Sequence, residues 1–224
     1  MGKIIITGAG SGLGAELAKK YSEHGYSILL VGRTLAKLDE IANEILESGG
    51  EAECIECDVS DALEVESVIG LLTWNYSDID MIINNVGIGY FGMLESMRNS
   101  DISSMIDTNV KGTIYMTRAI LPYFKHNNKG KIINIISTAG LRGKANESVY
   151  VASKYAIRGF TESLQKELEN DLITVTAVYL GGMNTPFWGH SNHVSDVTRF
   201  KSPKVVAELI YQQDDGREAI YIDR

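Results

Sequence analysis

The sequence is poor in the residues that mark several classes of protein. Its 224 residues include only two cysteines and three prolines. So few cysteines exclude a small domain stapled by disulfides, and so few prolines exclude a proline-rich linker. Charge-free stretches such as residues 81–94 are too short, and too rich in glycine and asparagine, to span a bilayer. Length and composition instead predict a single globular domain over residues 1–224.

Positive charge is also in short supply. Lys and Arg number 21 against 29 Asp and Glu, which gives a formal net charge of −8. An acidic chain lacks the basic surface of a general nucleic-acid binder. The apolar run that begins at Ile4 is too short for a signal peptide and is broken by Gly8. We therefore expect a cytoplasmic protein that acts on a small molecule, with neither a nucleic-acid nor a membrane partner.

Two pairs of side chains raise the question of metal or redox chemistry. Cys54 and Cys57 form a C-x-x-C motif, which in other contexts is a redox pair or half of a metal site. No second pair and no thioredoxin-type βαβ unit accompanies it, so we interpret the two cysteines as small residues of a strand. His190 and His193 have only Asp196 as a nearby carboxylate, which favours a solvated loop. The sequence predicts no metal site.

Short apolar runs alternate with helical periodicity along the whole chain. The predicted strands are residues 3–7, 26–31, 51–56, 80–84, 131–136, 173–179 and 219–222. The predicted helices are residues 12–24, 35–48, 61–75, 103–126, 148–170 and 203–213. This alternation predicts an α/β fold, in which a doubly wound, mainly parallel sheet of seven strands lies between two layers of helices. Ligands of such sheets bind beyond the carboxyl ends of the strands.

A glycine-rich turn follows the first predicted strand. Residues 7–14 read Thr-Gly-Ala-Gly-Ser-Gly-Leu-Gly and open a helix. Glycine permits a positive φ and a close approach of the backbone to phosphate, and the new helix offers free N–H groups to that anion. No Lys-Ser or Lys-Thr follows, which excludes a nucleotide-triphosphate P-loop. We expect a dinucleotide to bind Gly8, Ser11, Gly12, Leu13 and Gly14, although a merely tight turn is the alternative.

The end of the second predicted strand bears on the choice of cofactor. An Asp or Glu about 20 residues beyond the glycines is typical of NAD binding, because it binds the ribose 2′-OH. This sequence has Arg33 there instead. A guanidinium matches a 2′-phosphate in charge and geometry, so Arg33 favours NADP over NAD. The alternative is that Arg33 is a solvated cation at the start of a helix.

The long helix of residues 148–170 carries a tyrosine and a lysine on one face. Tyr150 and Lys154 are four residues apart, and a nearby ammonium favours the phenolate and lowers the pKa of a tyrosine. Tyr150 could then serve as a general acid or base for carbonyl reduction or alcohol oxidation. Ser137 directly follows a predicted strand, where its hydroxyl could polarise a substrate oxygen. Asn109 lies within a helical stretch, and its ordinary interpretation is a residue that faces solvent or bends the helix.

Together these motifs resemble the short-chain dehydrogenase/reductase family over essentially the full chain. The matching residues, in family order, are the loop 7–14, Asp58-Val59, Asn84-Asn85-Val86-Gly87, Asn109, Ser137 and Tyr150-x-x-x-Lys154. The resemblance implies a Rossmann-type fold and a catalytic set made of Asn109, Ser137, Tyr150 and Lys154. Two departures stand in this pattern: Val86 replaces an alanine and Leu180 replaces a proline.

The resemblance also implies contacts with the cofactor. Lys154 would hold the nicotinamide ribose, and Asn109 would place a water in a proton relay that runs from Tyr150 through Lys154. Further implied contacts are Asp58 with Val59 at the adenine, Asn85 and Gly87 along the cofactor, and Thr185 at the nicotinamide carboxamide.

The expected function is hydride transfer between NADP(H) and a carbonyl or secondary alcohol. Residues 183–201 are the predicted substrate lid, and their aromatic side chains indicate either an apolar or aromatic carbonyl substrate or simple packing of the loop. One alternative function is a non-catalytic NADP(H)-binding sensor or scaffold of the same fold. Another is an epimerase or dehydratase, but such an enzyme would require a larger substrate domain. In the resembled family the helices predicted at 103–126 and 148–170 often pair with a second subunit, so a homodimer or homotetramer is expected.

Overall fold

A computed structural model describes residues 2–189 and 193–222 of the chain. It confirms the α/β prediction. The strands are β1 Lys3–Thr7, β2 Ser27–Gly32, β3 Glu51–Glu56, β4 Ile79–Asn84, β5 Gly130–Ile135, β6 Ile173–Leu180 and β7 Ala219–Ile222. The α-helices are α1 Gly12–Glu23, α2 Leu35–Glu47, α3 Ala62–Asn75, α4 Asn99–Met105, α5 Thr113–His126, α6 Ser148–Glu167 and α7 Pro203–Gln212.

The seven strands form one sheet in the order β3-β2-β1-β4-β5-β6-β7. Every described pair of neighbouring strands is parallel. The chain winds outwards from β1 in one direction through β2 and β3, and from β4 in the other direction through β5 to β7. The order therefore reverses between β1 and β4, and the crevice at that switch point is where a doubly wound sheet binds its ligand.

The isoleucines of β1 show why both faces of the sheet are covered. Side chains alternate along a strand, so Ile4 and Ile6 lie in one hydrophobic cluster and Ile5 in the other, and all three are fully buried. The first cluster includes Leu17 of α1, Leu38 of α2 and Val206 of α7. The second cluster includes Val65 of α3, Met116 of α5 and Leu164 of α6. The result is the predicted arrangement of three layers.

The helix predicted at residues 103–126 differs from the structure in its start and its regularity. The helical segment begins at Asn99, and a π-helical turn over Ile106–Gly112 separates α4 from α5. Apolar periodicity does not distinguish one wide turn from an α-helix, which is why the sequence pattern missed it. Asn109 lies in this turn, so the irregularity belongs to the candidate site. Across the described residues, no helix is both long and apolar enough to cross a membrane.

Candidate active site

A cavity of about 340 Å³ lies at the carboxyl ends of the central strands. Most of the residues predicted to form a site line it. They are Gly8, Ser11, Gly12, Leu13, Arg33, Asp58, Val59, Asn85, Gly87, Ser137, Tyr150, Lys154 and Thr185. Two predicted residues, Gly14 and Asn109, are not among the described residues that line the cavity. The structure thus brings together motifs that are spread over 178 residues of sequence, from Gly8 to Thr185.

The glycine turn adopts the backbone conformation that its composition predicts. Gly8 and Gly12 have φ of 66° and 56°, in the left-handed region. Within α1, all of which is described, the first turn carries no acidic residue and Ser11 makes no side-chain cap. The first N–H groups of the helix therefore remain available to an anion. Gly14 packs against the loop, where a Cβ would lie 2.2 Å from the Gly8 carbonyl oxygen. It permits close packing behind the loop.

Hydrogen bonds between the ends of β1 and β4 hold this loop in place. The Thr7 hydroxyl accepts from the N–H groups of Asn85 and Val86 at 3.0 and 3.1 Å. The Asn85 side-chain amide donates to the carbonyl oxygens of Thr7 and Gly8 at 2.9 and 3.3 Å. Asn85 thus lines the cavity and also braces the glycine loop from behind.

Basic side chains gather at the β2 end of the cavity. Arg33 is exposed, and its guanidinium lies 3.9 Å from Asp58 Oδ2. The other oxygen of Asp58 accepts from the N–H and the hydroxyl of Ser60 at 2.9 and 2.7 Å. Lys37, in the first turn of α2, also lines the cavity, and its Cβ lies 3.0 Å from the position that a Gly10 Cβ would take. Lys37 was not predicted from the sequence, although its spacing of four residues from Arg33 was a usable signal.

Ser137, Tyr150 and Lys154 meet at the β5 end of the cavity. The backbone N–H of Ala139 donates to Ser137 Oγ at 3.1 Å, which fixes the loop after β5. Tyr150 and Lys154 project from α6, and both are buried. Lys154 Nζ donates to the Ile135 carbonyl oxygen at 3.1 Å and lies 5.8 Å from the centre of the Tyr150 ring.

The pKa of Tyr150 moves opposite to the expectation from the Tyr150–Lys154 spacing. Burial raises the pKa of the phenol and is the largest cause, the hydroxyl of Ser137 opposes it by hydrogen bonding, and the charge of Glu147 raises it further. Burial also lowers the pKa of Lys154 to about 8. The helix spacing placed the two groups correctly but carried no information on their desolvation, which is the largest cause of both pKa shifts.

Asn109 is buried and bonded on all sides of its amide. Its Oδ1 accepts from the N–H of Ile88 at 2.8 Å, and its Nδ2 donates to the Ile88 carbonyl oxygen at 2.9 Å and to Ser153 Oγ at 3.0 Å. The interpretation of a solvent-facing helix residue is therefore wrong. A Cβ at Gly87 would lie 3.6 Å from Asn109 Oδ1 and 3.5 Å from Lys154 Nζ. Asn109 thus lies beside Lys154, behind the wall of the cavity.

Aromatic rings form the remaining side of the cavity, around Tyr150. The ring centres of Phe91 and Phe187 lie 5.5 and 5.7 Å from that of Tyr150. Trp188 stacks on Phe91 at 5.4 Å and donates its indole N–H to the Met183 carbonyl oxygen at 2.9 Å. Part of the predicted lid thus lies against the site, and residues 190–192, including His190, fall outside the described residues. The aromatic rings pack on one another, as the second interpretation of the loop requires. Phe187 and Trp188 also line the cavity, and Phe91 packs behind them.

The cysteines and histidines form no metal or redox centre in the part of the chain that the structure describes. Cys54 and Cys57 are free, and burial raises the pKa of their thiols to about 11 and about 12. A thiol with so high a pKa is a poor nucleophile. Among residues 2–189 and 193–222, no group of three or more His, Cys, Asp or Glu side chains converges on one point.

The residues around the cavity fit a nicotinamide dinucleotide. Phosphate needs the close backbone approach and the free N–H groups that the glycine turn offers. The cationic β2 end suits the adenosine half, and the Ser137–Tyr150–Lys154 end suits the nicotinamide half. This fold and site together define a nicotinamide-dependent oxidoreductase.

The chain belongs to the short-chain dehydrogenase family, whose family model matches residues 2–195. An uncharacterized oxidoreductase of Staphylococcus epidermidis is 34% identical over 182 residues, which are 81% of this chain and 78% of that protein. Sepiapterin reductase of Chlorobaculum tepidum is 31% identical over 193 residues, 83% of this chain and 79% of that protein. The structure of an alcohol dehydrogenase of Thermococcus sibiricus, complexed with 5-hydroxy-NADP, covers 99% of this chain and 95% of its own, at 26% identity and a TM-score of 0.90.

The prediction of an enzyme is confirmed at this level. The protein is an oxidoreductase that acts on CH–OH or C=O groups with a nicotinamide cofactor.

Proposed function

We propose that the protein is an NADPH-dependent reductase of small carbonyl compounds, with Tyr150 as the proton donor. The observation that carries the proposal is the composition of one continuous cavity. Two cations stand at its β2 end, and a serine, a tyrosine and a lysine stand at its β5 end. NADPH, when bound, supplies the hydride. The chain supplies the position of the substrate and the proton.

Arg33 and Lys37 support the choice of NADPH over NADH. Both side chains line the β2 end of the cavity, beside Thr34. An exposed guanidinium and an ammonium four residues further along the chain are both suited to pair with a 2′-phosphate, whereas a ribose 2′-OH offers them no charge. Asp58 does not replace the missing ribose-binding acid, because Ser60 occupies one of its oxygens and Arg33 faces the other. In the related family member from Thermococcus sibiricus, the bound molecule is 5-hydroxy-NADP.

The β5 end of the cavity supports proton transfer to a carbonyl oxygen. Because its pKa is raised, Tyr150 is protonated at neutral pH and holds the proton that a reduced carbonyl needs. The Ser137 hydroxyl lies beside it and can donate a hydrogen bond to the same substrate oxygen. The ammonium of Lys154 stabilises the phenolate that remains. Asn109 fixes the turn of α6 that carries both residues, since Ser153 donates in turn to the Tyr150 carbonyl oxygen at 2.7 Å.

The aromatic side of the cavity supports a substrate that is apolar or aromatic next to its carbonyl. Phe187 and Trp188, which line the cavity, would bury such a group by flat contact, and Phe91 supports them from behind. A second copy of the chain is the proposed partner, paired through α5 and α6, where Tyr155 is exposed. Light scattering checks the partner, and a monomer at working concentration would contradict it.

The test of the function is the oxidation of NADPH, with NADH in parallel, against aldehydes, ketones, diketones and quinones. We expect turnover of at least one class, with a higher kcat/KM for NADPH. Binding of both cofactors is measured in the same samples by fluorescence titration. Tight NADPH binding without turnover on any carbonyl would contradict the reductase and favour the sensor of the same fold.

A further inference from the structure

Glu147 is a buried carboxylate that the proposed chemistry does not use. Only 6% of the residue is exposed, and it lines the cavity one helical turn before Tyr150. It stands at the N-terminus of α6 but makes no side-chain cap there. Its Oε1 instead lies 2.9 Å from His193 Nε2, and its Oε2 lies 3.8 Å from Lys144 Nζ. A buried carboxylate needs such partners to offset its desolvation.

His193 connects this carboxylate to the aromatic side of the cavity. The imidazole stacks on Phe91, with ring centres 4.7 Å apart and an angle of 16° between the planes. Phe91 meets Tyr150 edge to face at 5.5 Å. Glu147 directly precedes the first turn of α6, which carries Tyr150, so these contacts form a closed circuit. It runs from Glu147 to His193, from there to Phe91, and back to Tyr150.

We propose that Glu147 and His193 are positioning residues for the proposed reduction. The carboxylate holds the imidazole, and the imidazole holds Phe91, which packs behind Tyr150, Phe187 and Trp188. Those three rings line the cavity where the substrate carbonyl must lie, so the contact sets their position. This inference rests on the proposed function. It also assigns part of the substrate specificity to a bond between residues 46 positions apart.

Glu147 has a second effect, which is electrostatic and separable from the first. Its negative charge raises the pKa of Tyr150. Among the described residues, Ser137 after β5 and Lys154 on α6 also lie beside the phenol, and Lys144 and His193 pair with Glu147. Gln at position 147 would keep an acceptor for His193 but lose the charge. Ala at position 147 would lose both.

The fluorescence of a tryptophan measures how the aromatic residues beside the cavity pack, and this measurement requires no turnover. The chain has two tryptophans. Trp188 lies in the wall, with its ring centre 6.4 Å from that of His193, and Trp74 lies 87% exposed on α3. In a Trp74→Phe background, quenching of fluorescence by acrylamide therefore measures how well Phe91 and His193 cover Trp188.

The test compares Glu147→Gln, Glu147→Ala, His193→Ala and His193→Gln in that background. We expect both alanine variants to raise quenching, and to raise the KM for the carbonyl about tenfold while kcat changes less, the loss typical of one hydrogen bond to a charged group. The two alanine effects on KM should not add, because both break one contact. His193→Gln, whose amide can still donate to Glu147, should restore part of the KM. Glu147→Gln, which keeps an acceptor for His193, should change quenching and KM less than Glu147→Ala.

Glu162→Gln is the matched control, since Glu162 is an exposed carboxylate of α6 paired with Arg158. It should leave quenching and KM unchanged. Wild-type quenching and KM in both alanine variants, in an enzyme that turns over, would overturn the inference. Absence of turnover in the wild-type enzyme would instead overturn the proposed function, and the quenching comparison would still decide whether the contact holds the wall.

Discussion

Two groups of side chains lie at opposite ends of the sheet. Each contains a tyrosine, a lysine and a carboxylate, but the contacts among these side chains differ. At the amino ends of the strands, Tyr21 donates to Asp214 Oδ2 at 2.8 Å, and Lys131 Nζ pairs with Asp214 Oδ1 at 2.9 Å. One carboxylate thus binds the tyrosine and the lysine directly. This group ties α1 and β5 to the segment after α7, and neither described cavity includes it.

At the carboxyl ends, the tyrosine, the lysine and the carboxylate do not bind one another. Glu147 turns to His193 and Lys144, and Lys154 donates to a backbone carbonyl. Burial raises the pKa of Tyr21 as it does that of Tyr150. A raised tyrosine pKa is therefore no mark of function by itself. What distinguishes Tyr150 and Lys154 is that they face a cavity and keep hydrogen-bonding capacity for a ligand.

The largest expected difference between the two groups lies in the tyrosines. Tyr150→Phe removes the proton donor and should lower kcat about 10²–10⁴-fold with little change in the free energy of unfolding. Tyr21→Phe removes a bond to a buried carboxylate and should lower the free energy of unfolding by about 1–3 kcal/mol with normal kcat. Steady-state kinetics and urea unfolding of both variants measure the contrast. Equal activity losses would remove the distinction between the two groups.

The lysines should show the same contrast, with a smaller loss of activity. Lys131→Met leaves Asp214 buried without its cation and should cost about 2–3 kcal/mol of unfolding free energy. Lys154→Met removes an ammonium whose burial lowers its pKa, so the folded protein should be as stable or more stable while activity falls about a hundredfold. Urea denaturation at pH 7 compares the two. A marked destabilisation by Lys154→Met would mean that this lysine is a structural pair as well.

The pH dependence of activity and of stability should also distinguish the group at the carboxyl ends of the strands from the group at the amino ends. Because the pKa of Lys154 is lowered to about 8, its ammonium is lost as pH rises through about 8, and kcat/KM for NADPH, which reports the free enzyme, should fall there. Between about 8 and the ordinary value of 10.5, the unfolded lysine keeps a proton that the folded one has lost. Stability should therefore rise with pH in that window relative to Lys154→Met. A kcat/KM that stays flat from pH 7 to 9 would contradict this.

Cofactor choice should change by the smallest factor. Arg33→Ala should weaken NADPH binding about 10–100-fold, Lys37→Ala somewhat less, and neither should weaken NADH binding by as much. Arg33→Asp should turn the preference towards NADH. Arg217→Ala, which removes an exposed arginine paired with Asp215, is the control. Parallel titrations with both cofactors give the ratio, and an unchanged ratio would remove the argument for NADPH.

Local spacing predicted much of the fold and of this site. The glycine turn, the position of Ser137 after a strand and the Tyr150–Lys154 pair are encoded within a few residues, and the resemblance to the family supplied Asn109 and Thr185. The direction of the Tyr150 pKa was wrong, because desolvation depends on the whole packed structure. The contact of Glu147 with His193 was missed for a similar reason, since only the folded chain brings the two segments together.

Hydride transfer to a carbonyl is tested most directly by a single turnover with NADPH that carries deuterium at both positions of nicotinamide C4, on a carbonyl that the wild-type enzyme reduces. Mass spectrometry of the product locates the label. We expect deuterium on the alcohol carbon for the wild-type enzyme and for Tyr21→Phe, and at least a hundredfold slower transfer for Tyr150→Phe. Transfer at the wild-type rate by Tyr150→Phe, or a product without deuterium on that carbon, would contradict it.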